Sequence, residues 1–451
     1  MQDLIIPPGP KGDGSTGCLP DMRRNPMQFL EDVAKEYGGI ACVNMGSYSF
    51  YLVTEPKLIK ELLVDNSDHY RKSTHYKQIR MVLGEGMLLS ELDIWKQQRT
   101  HAQPKFTAKS LQPQVDWIAD LAKSFIDNWD TNVESDKPLE LEYQFNLLTQ
   151  LLAGVWVMGR GYESRAANIF NIYNQIRLNW PEMTDTKSNF FKIKNIKREL
   201  NFRHALKQLN SSVYDLLDDY PGIIEQDVGF LKHLINDGNA RKSIKKNKRA
   251  YRDQMLTLFV AAFETTATSL CWTMYALDQH PEIRQLVYQE VDNVLGKKIP
   301  TAELLNKLNY TENVIKESLR LYSSIHSVSR VALVKNTVGG YTVPKGMTVT
   351  VSFYATHRLP EYWENPYKFD PDRFTKERSV GRSRFAYLPF GAGHRSCIGS
   401  YLAIMQSKLI VALIAQRYRL SLTPGHKIEP HAATTMRPKF GVKMNIERLA
   451  V

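Results

Sequence analysis

The 451-residue sequence predicts a mainly α-helical protein with small β-sheets, an α+β chain organised as one domain over residues 1–451. Three observations predict it. Helical periodicity prevails between about residues 111 and 321, short alternating apolar runs flank it on both sides, and no repeat or low-complexity linker separates the parts.

Taken in order, residues 40–43 and 49–53 read as strands, so the β-rich part is expected mainly within residues 35–60 and again within 330–355. The helical core is expected over 90–330, with Pro281 and Pro300 as breakers, and over 398–417. Strand signals at 337–343 and 347–352 precede a Pro- and aromatic-rich loop and then a helix starting near Ile398. Residues 187–207 interleave Phe, Ile and Leu with seven positive charges, the pattern of a membrane-facing or lid helix as well as of a solvated amphipathic one. Residues 240–252 are basic with few apolar side chains, an exposed loop or helix start.

The composition, 43% hydrophobic and 24% charged, is that of an ordinary globular protein. Cys18, Cys42, Cys271 and Cys397 lie far apart, without the close pairs of a zinc site or the density of a disulfide scaffold, which points to a reducing, cytoplasmic setting. A net charge of +12 suits an acidic partner or an anionic surface, but no aromatic-interleaved basic stripe accompanies it, and nucleic acid is not expected. The first residues show neither a signal peptide nor an apolar anchor, so a soluble protein or an anchor-truncated form of a membrane-bound one is expected.

Residues 255–277 carry a single charge, Glu264, and are long enough to span a bilayer. The polar centre, with Glu264, Thr265, Thr266, Thr268 and Ser269, instead favours a helix through a protein core. A carboxylate there needs a partner or a task, because burying an unpaired charge is costly. Glu264 is therefore a functional candidate.

The sharpest signal is P-F-G-A-G-H-R-S-C-I-G at residues 389–399. Gly391, Gly393 and Gly399 allow tight turning and close approach to a flat ligand. Cys397, two residues after Arg395 and just before a helix, gains amide donors and positive charge that favour its thiolate.

The string F-x-x-G-x-R-x-C-x-G, matched by Phe390, Gly393, Arg395, Cys397 and Gly399, resembles the haem-binding loop of the cytochrome P450 family. Other family motifs follow in order. Glu317 and Arg320 match E-x-x-R, which in family members bonds the later loop, here P-D-R-F at 371–374; W-K-Q-Q-R at 95–99 resembles the W-x-x-x-R helix; A-A-F-E-T-T at 261–266 resembles the oxygen-activating stretch of the long central helix.

The resemblance implies the family fold, with haem b between the central helix and the Cys-loop helix. It implies Cys397 as iron ligand, Trp95, Arg99, Arg330 and Arg395 on the haem propionates with Lys72 as a weaker addition, and Phe390, Gly391 and Ala261 against the haem. Glu264 and Thr265 would deliver protons for dioxygen cleavage. Leu88, Ala262, Ile325 and Thr435 would line an apolar pocket. Two departures stand out: Ala262 replaces the usual glycine, and Ser323-Ser324 replace frequent prolines.

The expected activity is hydroxylation or epoxidation of a small apolar or amphipathic molecule. Electrons would derive from NAD(P)H through a separate ferredoxin, flavodoxin or reductase, since no flavin or dinucleotide fingerprint is present and a fused reductase is not expected. Lys96, Lys105 and Arg384 are candidates to receive an acidic donor. A monomer is expected, and membrane association stays open. The rivals are desaturation, oxidative coupling or peroxide-driven oxidation at the same haem, a non-catalytic haem sensor or carrier, and a membrane protein built on residues 255–277.

Overall fold

Alternating side chains in Ile40–Asn44 and Ser49–Val53 place one apolar face of each strand inward, and the two pair antiparallel with Ile40 opposite Val53. In the computed structural model, which describes residues 4–73, 76–179, 193–220, 229–235 and 240–449, this hairpin begins a five-stranded sheet. The order is Ile40–Asn44, Ser49–Val53, Thr348–Ser352, Ser327–Ala332 and Tyr70–Lys72, with only the pairing of Ser49–Val53 to Thr348–Ser352 parallel. Tyr51, Val53, Ile59, Leu62, Val349, Val351 and Phe353 form the core under it.

The described residues divide into two compact units. One comprises Met1–His75, Phe106–Phe145 and Thr265–Val451, and the other Tyr76–Lys105 and Asn146–Glu264. Every described strand belongs to the first. The second is helical, and its helices Glu163–Leu178 and Ile193–Asp219 pack against each other.

The expected strand over 337–343 is a hairpin, Asn336–Val338 turning back as Tyr341–Val343. Gly339 and Gly340, with φ of +57° and +82°, supply the left-handed pair that a two-residue turn requires. Strands also occur where none was expected: Tyr418–Leu422 pairs with Lys443–Arg448, and Pro430–Ala432 with Met436–Pro438.

The basic stretch at 240–252 is helical rather than a loop, being the start of Ala240–Gln279. Its one non-helical residue is Asn247, so Ala262 brings no backbone distortion with it. The segment Lys246–Gln279 is long and apolar enough to cross a bilayer, yet 78% of its most apolar window is buried inside the protein, as in a core helix. Of the other basic stretch, residues 187–192 lie outside the described residues and the remainder belongs to the helix Ile193–Asp219.

Candidate functional site

The cysteine loop is shaped by its glycines, though not by all three alike. Gly391 and Gly393 have φ of +68° and +73°, and a Cβ on Gly393 would sit 2.0 Å from the Leu63 carbonyl oxygen. Gly399 has φ of −89°, and a Cβ there would meet Phe106 and the Cys397 sulfur at 3.8 and 3.9 Å, ordinary contacts. The turn is closed by the Cys397 amide donating to the Phe390 carbonyl at 2.8 Å and the Ser396 amide donating to Gly393 at 3.0 Å. The following helix is Ser400–Ala415, capped by Gly399, two residues later than the start expected near Ile398.

Cys397 is the exposed cysteine of the four. Cys18 and Cys271 are buried and Cys42 half-buried; burial raises all three thiols above their ordinary pKa, Cys271 most, so they stay protonated. Among the described residues no group of three His, Cys, Asp or Glu side chains could hold a bare metal ion. A porphyrin iron needs only the one thiolate, so the donor chemistry of this loop fits a haem.

Cations for carboxylates are present in both units. In the first, Lys72 and Arg330 are direct partners across antiparallel strands, both half-buried. Arg395 is half-buried in the cysteine loop. In the second unit, Trp95 and Arg99 are one turn apart on Leu92–Ala102 and half-buried.

Behind the loop, Glu317 and Arg320 are fully buried and form a two-pronged pair at 2.7 and 2.8 Å. The second Glu317 oxygen also accepts from Arg373 Nε at 3.2 Å and from the Asp370 amide at 2.9 Å, which joins helix Asn309–Leu321 to the turn Pro371–Phe374. Arg320 spends its remaining donors on the carbonyls of His357, Pro366 and Lys368.

His357 was not singled out by the sequence, and it connects this cluster to the cysteine loop. Its Nε2 accepts the Leu388 amide at 2.8 Å, while Nδ1 faces the Arg320 carbonyl at 3.0 Å and Ser323 Oγ at 3.1 Å. Burial first, then the charges of Arg320 and Arg358, push its pKa down to about 3, so the ring is neutral. A signal existed only in its company, A-T-H-R between a strand and the Pro-rich loop.

On the central helix, residues 252–260 and 266–274 are buried, whereas Ala261 is exposed and Ala262, Glu264 and Thr265 are half-buried. The polar motif thus sits on the accessible strip of a buried helix. Two carbonyls of this stretch accept side-chain hydroxyls: Phe263 from Thr149 Oγ1 at 3.1 Å and Thr265 from Ser324 Oγ at 2.9 Å. Burial, with the nearby Glu264 charge, raises the Tyr173 phenol above its ordinary pKa, so it remains protonated.

Of the pocket candidates, Leu88 is 38% exposed and follows Met87, whose amide donates to Gln254 Oε1 on the central helix at 2.9 Å. Ile325 is half-buried against the sheet core. Thr435 is 3% exposed at the tip of the hairpin between Pro430–Ala432 and Met436–Pro438, its carbonyl accepting the Ala433 amide.

Comparison with known proteins bears on the family and the fold. The cyclooctat-9-en-7-ol 5-monooxygenase of Streptomyces melanosporofaciens is 30% identical over 409 residues, covering 89% of this chain and 86% of that protein. The lithocholate 6-beta-hydroxylase of Mesocricetus auratus is 28% identical over 448 residues, covering 92% and 85%. The heme domain of cytochrome P450DA superposes with a TM-score of 0.88 at 22% identity over 99% of each chain, a likeness of fold. The Cytochrome P450 family model matches residues 7–446, and the chain belongs to that family of haem-dependent oxidoreductases.

Proposed function

We propose that this cytochrome P450 monooxygenase uses Cys397 as the thiolate ligand of haem b and inserts one atom of dioxygen into an apolar or amphipathic organic molecule, the other atom leaving as water. The observation that carries the reading is Cys397 on the loop turned by Gly391 and Gly393, its amide closing the turn on the Phe390 carbonyl, in a chain matched by the family model over residues 7–446. When bound, a thiolate-ligated haem supplies the activation and reductive cleavage of dioxygen.

The chain's own residues would do the rest. Trp95, Arg99, Arg330 and Arg395, with Lys72, would bind the propionates, the planar guanidinium fork matching a carboxylate. Phe390, Gly391 and Ala261 would lie against the macrocycle. Thr265 would hold a proton at its hydroxyl on the reacting side, and Glu264 would replenish it by exchange with water. Leu88, Ala262, Ile325 and Thr435 would bound the substrate. Two relatives are named for an alcohol, cyclooctat-9-en-7-ol, and a carboxylate, lithocholate, which supports a substrate that joins a carbon skeleton to a polar group.

Electrons would come from an acidic ferredoxin or flavodoxin-type donor, or a reductase, received near the exposed Lys96 and Arg384 and the half-buried Lys105. The deciding experiment is the absorption spectrum of the ferrous carbon monoxide complex. A strongly red-shifted Soret band, lost in Cys397→Ala, is the expected result. A globin-like band, or protein purified without haem, overturns the reading.

A further inference from the structure

We infer that Ser324 is a positioning residue for Thr265, a role its hydroxyl performs where proline is frequent in the family. The inference rests on the reading of Thr265 as the residue that handles protons.

Adjacent serines divide their hydroxyls between two tasks. Ser323 Oγ donates to the Leu319 carbonyl at 2.7 Å and faces His357, joining the buried cluster behind the cysteine loop. Ser324, 6% exposed, turns the other way and donates to the Thr265 carbonyl at 2.9 Å. By helix geometry that carbonyl is also the acceptor for the Ser269 amide, so it serves two donors. Proline has no side-chain donor and could not make this bond.

The bond is one link of a closed circuit. The Ser324 carbonyl accepts the Met436 amide at 2.9 Å, and the Met436 carbonyl accepts Trp272 Nε1 at 2.8 Å. Trp272 lies seven residues beyond Thr265, on the same helix face, and its ring stacks on Tyr322 with centroids 4.4 Å apart and planes within 5°. The segment around residue 324, the hairpin that carries Thr435 and the helix at Thr265 are therefore tied together at three points. Two of those ties, Met436 and Trp272, survive loss of the Ser324 hydroxyl. Removing it frees the Thr265 end of the circuit and leaves the rest in place. Small displacements of a proton-handling group are costly to chemistry, because its geometry must match the reacting atoms.

The test uses the haem-loaded protein. Ser324→Ala and Ser324→Cys bracket serine in volume, so a packing defect would not act on both alike, while Ser324→Thr keeps the hydroxyl. Loss of a bond of this kind should raise the peroxide released per electron pair consumed by about three- to ten-fold in the Ala and Cys variants. In the ferric resting protein both should also speed hydrogen exchange over residues 265–273, with the haem spectrum unchanged, and Ser324→Thr should restore both readouts. In a Thr265→Ala background, Ser324→Ala should add nothing to the peroxide yield. Unchanged peroxide and exchange in Ser324→Ala beside an uncoupled Thr265→Ala overturns this inference alone, as does an additive double variant. A fully coupled Thr265→Ala overturns the proton-handling reading and this inference with it.

Discussion

At the residue scale, the cysteine loop ranks its own glycines. Gly393 combines a left-handed backbone with a neighbouring carbonyl that a methyl group would strike, Gly391 has the backbone demand alone, and Gly399 has neither. An alanine forced into left-handed conformation costs about 1–2 kcal/mol, and the clash at 393 adds to it. Gly393→Ala should therefore lose more haem on purification than Gly391→Ala, read as the haem-to-protein absorbance ratio. His357 makes a different prediction. Its folded pKa of about 3 lies below the ordinary 6.5, so an unfolded chain takes up a proton that the folded one refuses. The stability it confers is complete above pH 6.5 and drains as pH falls toward 3, by at most about 1.4 kcal/mol per pH unit. His357→Asn should lower the urea midpoint at pH 7.5 and flatten its decline between pH 6.5 and 5. The Cys397 loop was legible because its glycines, arginine and cysteine stand in one local string, Gly391 to Gly399. His357 was not, because its partners come from two stretches far from it in sequence, Arg320 with Ser323 on one side and Leu388 on the other, and follow no motif.

At the element scale, the joint between helix Asn309–Leu321 and the turn Pro371–Phe374 rests on one buried carboxylate that serves two arginines and a backbone amide. Glu317→Gln keeps the shape and removes the charge, leaving Arg320 and Arg373 buried without it. Breaking such a buried arrangement costs about 3–5 kcal/mol, to be seen as a lower urea midpoint with accelerated haem loss. Long helices were legible because an apolar stripe persists over many turns, as in residues 309–321. The strands Tyr418–Leu422 and Lys443–Arg448 were not, since short strands draw their stability from partners distant in sequence: Lys443 pairs with Glu140, and Arg448 with Tyr418. The hairpin at 336–343 lay between these cases. Its Gly339-Gly340 turn is a local signal that divides what reads as one apolar run.

At the scale of the whole molecule, charge and fold bear on the same question, how electrons arrive. On the proposed reading electrons reach the haem from a separate donor, and a net charge of +12 would favour an acidic one. The effect of an exposed charge on encounter decays over about 10 Å at 0.1 M salt, so only residues near the donor's landing point matter strongly. Lys96→Glu and Arg384→Glu should then slow reduction by an acidic ferredoxin, followed by stopped-flow absorbance, about ten-fold at low ionic strength. The deficit should shrink as salt is raised, because screening removes steering without touching the chemistry. A control at a position not proposed for donor contact, Lys307→Glu, an exposed residue paired with Glu303, should leave the rate unchanged. Equal rates for all three variants at low salt would mean that net charge alone recruits the donor and that these positions do not form its landing point.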